Sequence, residues 1–292
     1  MNFVRQYYRS LLDFCLRLRN YVRRRIFHVG AFTKNSEDSD SSSTFYGRAV
    51  EGIISSNRKF RRFRRIYDYR EILEHVSLKQ AHKYIERVNQ LDSSVLKFYK
   101  NFMNNDFVGM PYRYSFPNIG FSSPTTIRYI AVLVELRKIF GENFGGHIVE
   151  IGVGYGGQYL VMEEKQTIQS YSMYDLSSVQ NLTEKYLKQK TTIDKIVMRN
   201  FQDNIHIDFD LAISNYAFSE LPKSIQLEYV EKVLTKAKRG YMIMNSGRTN
   251  YTGRSTGKLS LDELKVLLPP FEIMEEIPKS SPDNYVIAWG HN

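Results

Sequence analysis

A glycine-rich loop between a strand and a helix is the feature that most limits the fold of this chain. The mainly apolar run 147–151 is followed by Gly152, Gly154, Gly156 and Gly157, after which a helical pattern begins. Glycines at such a junction allow the backbone to turn sharply and to approach a ligand closely. The spacing predicts a loop that binds an adenosine-containing cofactor. On the glycines alone, NAD and S-adenosylmethionine are not distinguished.

The rest of the C-terminal half alternates strand and helix patterns. Such alternation predicts an α/β fold with a mostly parallel sheet covered on both faces. The connection 279–284 is too short for a parallel crossover, so the last two strands should pair antiparallel. The predicted strands are 147–151, 170–174, 195–199, 209–214, 240–245, 271–277 and 285–289, and the predicted helices are 156–165, 177–189, 222–236 and 260–267.

Positive charge is concentrated in the first quarter of the chain. The net charge is +10, and residues 1–70 hold 16 Lys and Arg against 6 Asp and Glu, while the remainder holds 25 of each. The single cysteine, Cys15, excludes a disulfide framework and a multi-cysteine metal site. No apolar run is long enough to span a membrane, and charged residues interrupt the N-terminal apolar positions of a signal peptide. We therefore predict a cytoplasmic protein, with peripheral membrane contact as an alternative.

Four segments follow from these patterns. We predict a basic amphipathic helix within 1–33, a flexible Ser/Asp-rich linker at 34–47, a helical cap or substrate region at 48–122, and a cofactor-binding domain at 123–292. The helix at 1–27 is compatible with an anionic membrane surface or with packing on the main domain. The cluster 58–65 has six basic residues in eight and could contact anionic lipids or polymers, or lie in a solvated helix. Nucleic acid is disfavoured because no known binding fold accompanies the cluster.

Residues 70–122 contain further predicted elements. Apolar spacing predicts one helix through Ile72, Val76 and Val88 and another over 93–104. The Gly/Pro-rich segment 109–120 predicts a loop that covers a pocket. Ser123 as N-cap, a proline after it and Gly141 at the end then mark a helix.

Two carboxylates near the glycine loop narrow the cofactor. Glu150 precedes the first glycine, where a negative charge is unfavourable beside a pyrophosphate but favourable beside the ammonium and sulfonium of S-adenosylmethionine. Asp175 ends the second strand and can accept hydrogen bonds from both ribose hydroxyls. Asn200 and Phe201 follow the third strand and should flank the adenine. The alternative interpretation of Asp175 is a helix N-cap.

The fourth strand runs into the motif 214–221, Ser-Asn-Tyr-Ala-Phe-Ser-Glu-Leu. Its polar side chains fall at the carboxyl edge of the sheet, where doubly wound folds bind ligands. Asn215, Tyr216 and Glu220 should therefore lie near a substrate, with Asn245 at the end of the fifth strand reaching the same place. Alternatively, Asn215 is a turn former and Glu220 begins the next helix.

Together these residues resemble the sugar O-methyltransferase family of bacteria and some large viruses. The resemblance covers about 109–290 and depends on the glycine loop, the sequence 174–176 (Tyr-Asp-Leu), the motif 214–221 and the closing sequence 284–290. It implies a Rossmann-like methyltransferase sheet of seven mostly parallel strands with an antiparallel C-terminal hairpin, preceded here by an N-terminal helical extension. The family usually has proline or a similar residue where this chain has Ser177.

The resemblance also implies a function and a set of site residues. The function is transfer of a methyl group from S-adenosylmethionine to a hydroxyl of a sugar or glycan-like acceptor. A base should remove the hydroxyl proton, and Glu220 is the leading candidate, with His206 second, while Asn215 and Tyr216 orient the acceptor. No ligand cluster indicates a metal. The predicted cofactor-binding residues are Glu150, Gly152, Gly154, Tyr155, Gly156, Gly157, Asp175, Leu176, Asn200, Phe201 and Asn215.

Two other functional classes remain open at the level of sequence. One is a non-catalytic methyltransferase fold that the basic N-terminal segment tethers to a membrane, RNA or an anionic polymer. The other is an NAD-dependent sugar oxidoreductase or epimerase, which shares the glycine loop and Asp175. A Tyr-x-x-x-Lys pair of that class occurs only at Tyr186 and Lys190, too early in the fold. The pattern predicts no oligomeric state.

Overall fold

The computed structural model describes residues 41–203, 207–245, 257–282 and 284–291. The compact unit that contains the sheet runs from Ser43 to Asn292. The predicted helix at 1–27 and the first part of the linker lie outside the described residues, as does His206. None of the helices in the described ranges is long and apolar enough to cross a membrane.

A seven-stranded sheet is the centre of the described part of the chain. Its strand order is β5-β4-β3-β6-β7-β9-β8. The first five strands of this order pair in parallel, and β9 pairs antiparallel with both β7 and β8. The predicted α/β fold, with seven mostly parallel strands and an antiparallel C-terminal pair, is thus confirmed. The strands, numbered along the chain after a small hairpin of β1 (Tyr114–Phe116) and β2 (Gly120–Ser122), are β3 (Gly146–Ile151), β4 (Ile168–Tyr174), β5 (Ile196–Arg199), β6 (Leu211–Asn215), β7 (Gly240–Met244), β8 (Phe271–Glu275) and β9 (Tyr285–Trp289).

Helices cover both faces of the sheet. Alternate residues of β3 face different cores, since Ile148 belongs to the cluster that includes the N-terminal helices and Val149 to the opposite one. The helices are α1 (Ser41–Ile54), α2 (Asn57–Phe60), α3 (Tyr67–Leu73), α4 (Leu78–Asp92), α5 (Tyr99–Phe102), α6 (Pro124–Phe140), α7 (Gly157–Glu163), α8 (Ser177–Leu187), α9 (Ala217–Glu220), α10 (Lys223–Lys232) and α11 (Leu261–Leu267).

The helix α6 is the buried helix that joins the N-terminal layer to the sheet. Its start is fixed by Ser123, whose side chain accepts a hydrogen bond from the backbone N–H of Thr126 at 3.1 Å. It ends at Gly141, which has a φ of +83°. Most of the helix is buried, so it packs on all sides, and the predicted cap and end are confirmed.

The structure differs from the sequence prediction in the N-terminal region. The predicted linker 34–47 is wrong from residue 41 onward, where α1 forms because Val50 and Ile53 pack into the core. The single helix predicted through 72–88 is interrupted, because Ser77 and Gln80 form a capping box that starts α4. The segment 93–104 is mostly 3₁₀ turns with the short helix α5. Residues 48–122 share a hydrophobic core with the face of the sheet on which Ile148 lies.

The basic cluster 58–65 contributes to the interior as well as to the surface. Phe60, Phe63 and Arg64 are buried, whereas the remaining members, Arg58, Lys59, Arg61, Arg62 and Arg65, are exposed. The cluster is therefore not a uniform cationic surface. Its aromatic side chains and one arginine hold the N-terminal layer in place.

Arg64 binds several elements at once. Its Nε donates to Glu74 Oε1, its Nη1 donates to Asp106 Oδ1 at 3.1 Å, and its Nη2 donates to Ser123 Oγ at 3.0 Å. The guanidinium also lies 4.6 Å from the ring centroid of Tyr155 in the glycine loop. Burial raises the pKa of Glu74, and the positive charge of Arg64 opposes that shift. The network joins α3, α6 and the glycine loop.

Replacing Arg64 with methionine is expected to lower the stability of the protein by about 3–5 kcal/mol, because Glu74 and Asp106 are left as buried charges without a counter-ion. The control is Arg62→Met on the exposed side of the same cluster, which should change stability by less than about 0.5 kcal/mol. Urea denaturation monitored by circular dichroism measures both. Equal denaturation midpoints for the two variants would contradict the structural role of Arg64.

Candidate functional site

The candidate site lies at the carboxyl edge of β3, β4 and β6. The chain order of the strands reverses at β3, since β4 lies on one side of it and β6 on the other. Such a switch point opens a crevice at the ends of the strands, and ligands of doubly wound sheets bind there. The ends of β3 and β6 are joined there by Ser214, whose Oγ donates to the carbonyl of Ile151 at 3.0 Å.

The glycine loop has the backbone that the sequence predicts. Gly152, Gly154 and Gly156 have φ values of +81°, +58° and +84°, which residues with a side chain rarely adopt. A Cβ atom on Gly152 would lie 2.0 Å from the Cβ of Ala217, so the loops after β3 and β6 are in direct contact. Gly157 begins α7, and a Cβ there would lie 2.5 Å from the ring of Tyr129. The positive φ values and the close neighbours of Gly152 and Gly157 therefore both require glycine in this loop.

Glu150 is a buried carboxylate directly behind this loop. Only 2% of the residue is exposed, and Tyr171 donates a hydrogen bond to its Oε2 at 2.8 Å. Burial raises the pKa of Glu150 to about 8, while the hydrogen bond from Tyr171 opposes the shift. No ion pair neutralises this carboxylate within the described ranges. A cation at the glycine loop would lower its pKa and be bound in return.

Asp175 lies at the end of β4, beside the glycine loop. Its Oδ2 accepts a hydrogen bond from the backbone N–H of Gly154 at 3.0 Å, and its Oδ1 accepts one from Leu176 at 2.8 Å. Burial raises the pKa of Asp175 to about 6, and these backbone N–H groups oppose the shift. Leu176 is 41% exposed, so an apolar surface adjoins the carboxylate. The helix α1 passes close by, where Gly47 approaches Ser178.

Tyr155 is the tyrosine of the glycine loop. Its side chain is completely buried between Arg64, Tyr129 and Tyr186, and Asn105 donates to its hydroxyl at 3.3 Å. The Tyr155 side chain anchors the glycine loop to the N-terminal layer, so Tyr155 would contact a cofactor through its backbone.

Asn200 and Phe201 follow β5 as predicted, and they form a turn. Asn200 Oδ1 accepts a hydrogen bond from the backbone of Gln202 at 2.9 Å, and its own N–H donates to Asp203. The ring of Phe201 is half-buried against Tyr229, with centroids 4.6 Å apart. The ring of Phe201 thus lies near the carboxyl ends of β4 and β5, with part of its surface accessible.

Asn215 and Tyr216 end β6 beside the glycine loop. Asn215 Oδ1 is buried and has no hydrogen-bond partner in the part of the chain that the structure describes. A ligand with a donor group would satisfy it. Tyr216 has a positive φ of +74°, which is rare for a residue with a side chain. Its hydroxyl donates to Glu276 Oε1, and burial raises its pKa.

Glu220 lies exposed at the end of the short helix α9. Asn245 Nδ2 donates to Glu220 Oε1 at 2.7 Å, and Ser219 Oγ donates to Asn245 Oδ1 at 2.8 Å. The predicted contribution of Asn245 to the same region as Glu220 is therefore present. The other candidate base, His206, lies outside the described residues. Within the described ranges, no group of three His, Cys, Asp or Glu side chains could hold a metal ion.

A polar cluster beside Tyr216 was not predicted from the sequence. Arg128 of α6 is 6% exposed, and its Cζ lies 5.8 Å from the ring centroid of Tyr216. Tyr84 and Glu276 line the same cavity as Arg128. The sequence did contain a signal for Arg128, because it is a charged residue within the mainly apolar stretch 127–134. Glu276, which follows β8, carries no comparable signal.

Comparison with known proteins gives similarity to solved structures only. No protein-family model and no curated protein sequence matches the chain. The mitomycin 7-O-methyltransferase MmcR is similar with 10% identity and a TM-score of 0.42, over 57% of this chain and 55% of that chain. This chain thus spans about half the length of that protein.

Two further solved structures are similar at the same level. An S-adenosylmethionine-dependent methyltransferase from Clostridium acetobutylicum has 10% identity and a TM-score of 0.41, over 55% of this chain and 89% of that chain. An rRNA methylase from Streptococcus thermophilus has 14% identity and a TM-score of 0.39, over 55% of this chain and 93% of that chain. The fold class of this chain rests on its own strand order and strand directions.

Replacing Glu150 with glutamine is expected to stabilise the ligand-free protein, and increasingly so as the pH rises. The unfolded carboxyl ionises near pH 4.5, whereas in the folded protein its pKa is about 8. Between these values the folded state binds one more proton than the unfolded state, so the stability of the wild type falls with rising pH. Glutamine has no such proton.

Thermal denaturation at pH 5, 7 and 9 measures this effect, and 1 kcal/mol corresponds to about 2–4 °C for a chain of this size. Glu86→Gln, an exposed change on α4, is the control and should leave the midpoint unchanged at each pH. A midpoint for Glu150→Gln at pH 9 that is no higher than that of the wild type would contradict the raised pKa.

Proposed function

We propose that the chain is an S-adenosylmethionine-dependent O-methyltransferase whose acceptor is a hydroxyl group of a sugar or glycan-like molecule. The observation that carries the proposal is the buried carboxylate of Glu150 behind the glycine loop at the switch point of the sheet. An ammonium or sulfonium group bound there would lower the raised pKa of Glu150 and be attracted to the ionised carboxylate, whereas a pyrophosphate would raise that pKa further. The site therefore favours S-adenosylmethionine over NAD.

The residues around the loop fit the rest of this cofactor. The carboxylate of Asp175 is already oriented by Gly154 and Leu176, and it retains lone pairs for the two ribose hydroxyls. The exposed side chain of Leu176 offers an apolar surface to the adenine. The buried Oδ1 of Asn215, which lacks a partner in the described ranges, can accept a hydrogen bond from the ammonium group. When bound, S-adenosylmethionine supplies an activated methyl group on its sulfonium sulfur.

The residues of the chain would align the acceptor with the methyl group and remove the proton of its hydroxyl. A sugar hydroxyl is a weak nucleophile, so removal of its proton by a carboxylate accelerates its attack. Glu220 lies at the same edge of the sheet as the glycine loop, and Asn245 orients its carboxylate through the hydrogen bond to Oε1. We infer that Glu220 is the base and that Asn215 and Tyr216 orient the acceptor. The motif 214–221 supports a sugar-like acceptor through its resemblance to the sugar O-methyltransferase family.

Replacing Asp175 with asparagine is expected to weaken binding of S-adenosylmethionine by about tenfold to a hundredfold, because a charge-assisted hydrogen bond is worth about 1.5–3 kcal/mol. Isothermal titration calorimetry measures the affinity. Asp194→Asn, an exposed change beyond α8, is the matched control and should bind like the wild type. If the wild type bound no S-adenosylmethionine at millimolar concentration, the cofactor assignment would be wrong.

Replacing Glu220 with glutamine is expected to lower the turnover number by about 10²–10⁴-fold while the affinity for S-adenosylmethionine stays unchanged. Transfer of a labelled methyl group to nucleotide-sugars and glycan extracts provides the assay. Glu231→Gln changes an exposed acid on α10 and should keep wild-type turnover. Wild-type turnover in Glu220→Gln would remove Glu220 from the reaction.

A further inference from the structure

Arg128 is a buried cation that no described carboxylate neutralises. It lies in the second turn of α6 and is 94% buried, given its 6% exposure. In the described ranges, no Asp or Glu oxygen lies within 4.0 Å of the guanidinium nitrogens, the distance of an ion pair. The nearest rings are those of Tyr129 and Tyr216, whose centroids lie 5.5 Å and 5.8 Å from Arg128 Cζ.

The other buried or half-buried arginines of this layer have counter-ions. Arg64 is fully buried and pairs with Glu74 and Asp106. Arg87 of α4 pairs with Glu135, and Arg137 of α6 pairs with both Asp92 and Glu142. Removing a charge from water costs several kcal/mol unless a partner restores the lost interactions. At Arg128 the described residues offer tyrosine side chains and no carboxylate at ion-pair distance, which favours an anionic ligand.

A cavity adjoins the unpaired guanidinium. It has a volume of about 460 Å³ and lies between α4, α6 and the antiparallel end of the sheet, with Arg128 in its wall. Its other walls include the rings of Tyr84 and Tyr241 and the apolar side chains of Ile243 and Val286. Besides Glu276, three acids also line it, and each contacts a basic side chain: Glu135 with Arg87, Glu272 with His291, and Glu275 with Lys279. A volume of this size is in the range of small-molecule sites, about 300–1,000 Å³.

Glu276, an acid that lines the same cavity, already accepts hydrogen bonds from its neighbours. Glu276 accepts hydrogen bonds from Tyr216, from the backbone N–H of Ser280 at 2.8 Å and from Asn284 at 3.0 Å. These donors occupy the Glu276 carboxylate, and in the described ranges it forms no ion pair with Arg128. The guanidinium is therefore left to interact with a ligand in the cavity.

We propose that Arg128 binds a carboxylate or phosphate group of the methyl acceptor, so that the acceptor is an acidic sugar or a sugar phosphate. This proposal rests on the proposed function for the sugar and adds the charge of the substrate. The planar guanidinium can bind either anion through two parallel hydrogen bonds. The rings of Tyr84 and Tyr241 provide a surface for the apolar face of the sugar. The charge of Arg128 opposes the rise in the pKa of Glu150, and Arg128 also adjoins Tyr216, which follows β6, so an anion bound by Arg128 would lie near the proposed cofactor site.

The test compares sugars that differ only in charge. Glucuronate, glucose 6-phosphate and glucose are titrated by nuclear magnetic resonance into the wild type, Arg128→Gln and Lys138→Gln, each with and without S-adenosylhomocysteine. Lys138 is the matched control because it lies on α6 and lines the same cavity but is exposed. S-adenosylhomocysteine has the same carboxylate as the cofactor and would fill the same site, but it has no methyl group to transfer.

The wild type is expected to bind at least one of the two anions at least tenfold more tightly than glucose. Arg128→Gln should abolish this difference, and Lys138→Gln should keep it within twofold. Arg128→Gln should also unfold at the same temperature as the wild type or higher, because it removes an unpaired buried charge. A purely structural arginine would give a lower unfolding temperature.

Three results would overturn the proposal. The first is equal binding of both anions and glucose to the wild type, and the second is undiminished discrimination in Arg128→Gln. The third is a tenfold or greater loss of S-adenosylhomocysteine affinity in Arg128→Gln with no effect on the sugars, since Arg128 would then bind the carboxylate of the cofactor. If S-adenosylhomocysteine does not bind the wild type, the proposed function fails, while the titrations without it still test Arg128.

Discussion

The buried guanidinium of Arg64 is the interaction on which the arrangement of the site depends. It connects Glu74 after α3, Asp106 before the hairpin and Ser123 at the start of α6, and it stacks on Tyr155. Each partner belongs to a different segment, so none of these segments reaches its position without the others. The glycine loop is thereby supported from behind by a side chain nearly a hundred residues earlier in the chain.

Asp106 also supports this arrangement, because it accepts hydrogen bonds from residues at the start of α6. Its carboxylate accepts hydrogen bonds from the backbone N–H of Ser123 at 2.6 Å and from the Thr126 hydroxyl at 2.8 Å. Asn105 next to it accepts a hydrogen bond from the hydroxyl of Tyr186 on α8 at 2.8 Å. The N-terminus of α6 and the helix that follows Asp175 are thus held by neighbouring residues.

Two further buried ionisable groups differ from Arg64 in having no ion-pair partner in the described ranges. Glu150 lies behind the glycine loop, where Tyr171 donates a hydrogen bond to it, and Arg128 lies beside Tyr216. The charge of Arg128 opposes the rise in the pKa of Glu150, so the two groups influence each other. Neither forms a network of the kind that holds Arg64 in place.

The sheet could be predicted from the sequence because its determinants are local. The apolar runs of β3 and β6 and the glycines at 152, 154 and 156 define strands and a turn wherever they occur. The roles of Arg64 and Tyr155 could not be predicted, because burial of an arginine beside a tyrosine depends on contacts between distant segments. The same holds for Arg128, although its place in the apolar run of α6 distinguished it from surface arginines.

The linker prediction failed for a related reason. Composition alone made the Ser/Asp-rich stretch unable to form a core of its own. The helix α1 nevertheless forms, because Val50 and Ile53 insert into a core built by other segments. Polar composition at the start of a helix therefore does not exclude the helix when its later turns are anchored.

The ring of Tyr155 has one further consequence. Because the loop that would hold the cofactor carries a side chain buried among Arg64 and Tyr186, the helices before residue 123 and the sheet after it share one interior. An exchange of the N-terminal helices between related proteins would have to preserve that aromatic socket. A substitution at Arg64, Tyr155 or Tyr186 would therefore be felt in both regions, and the helical layer and the glycine loop are constrained to change together.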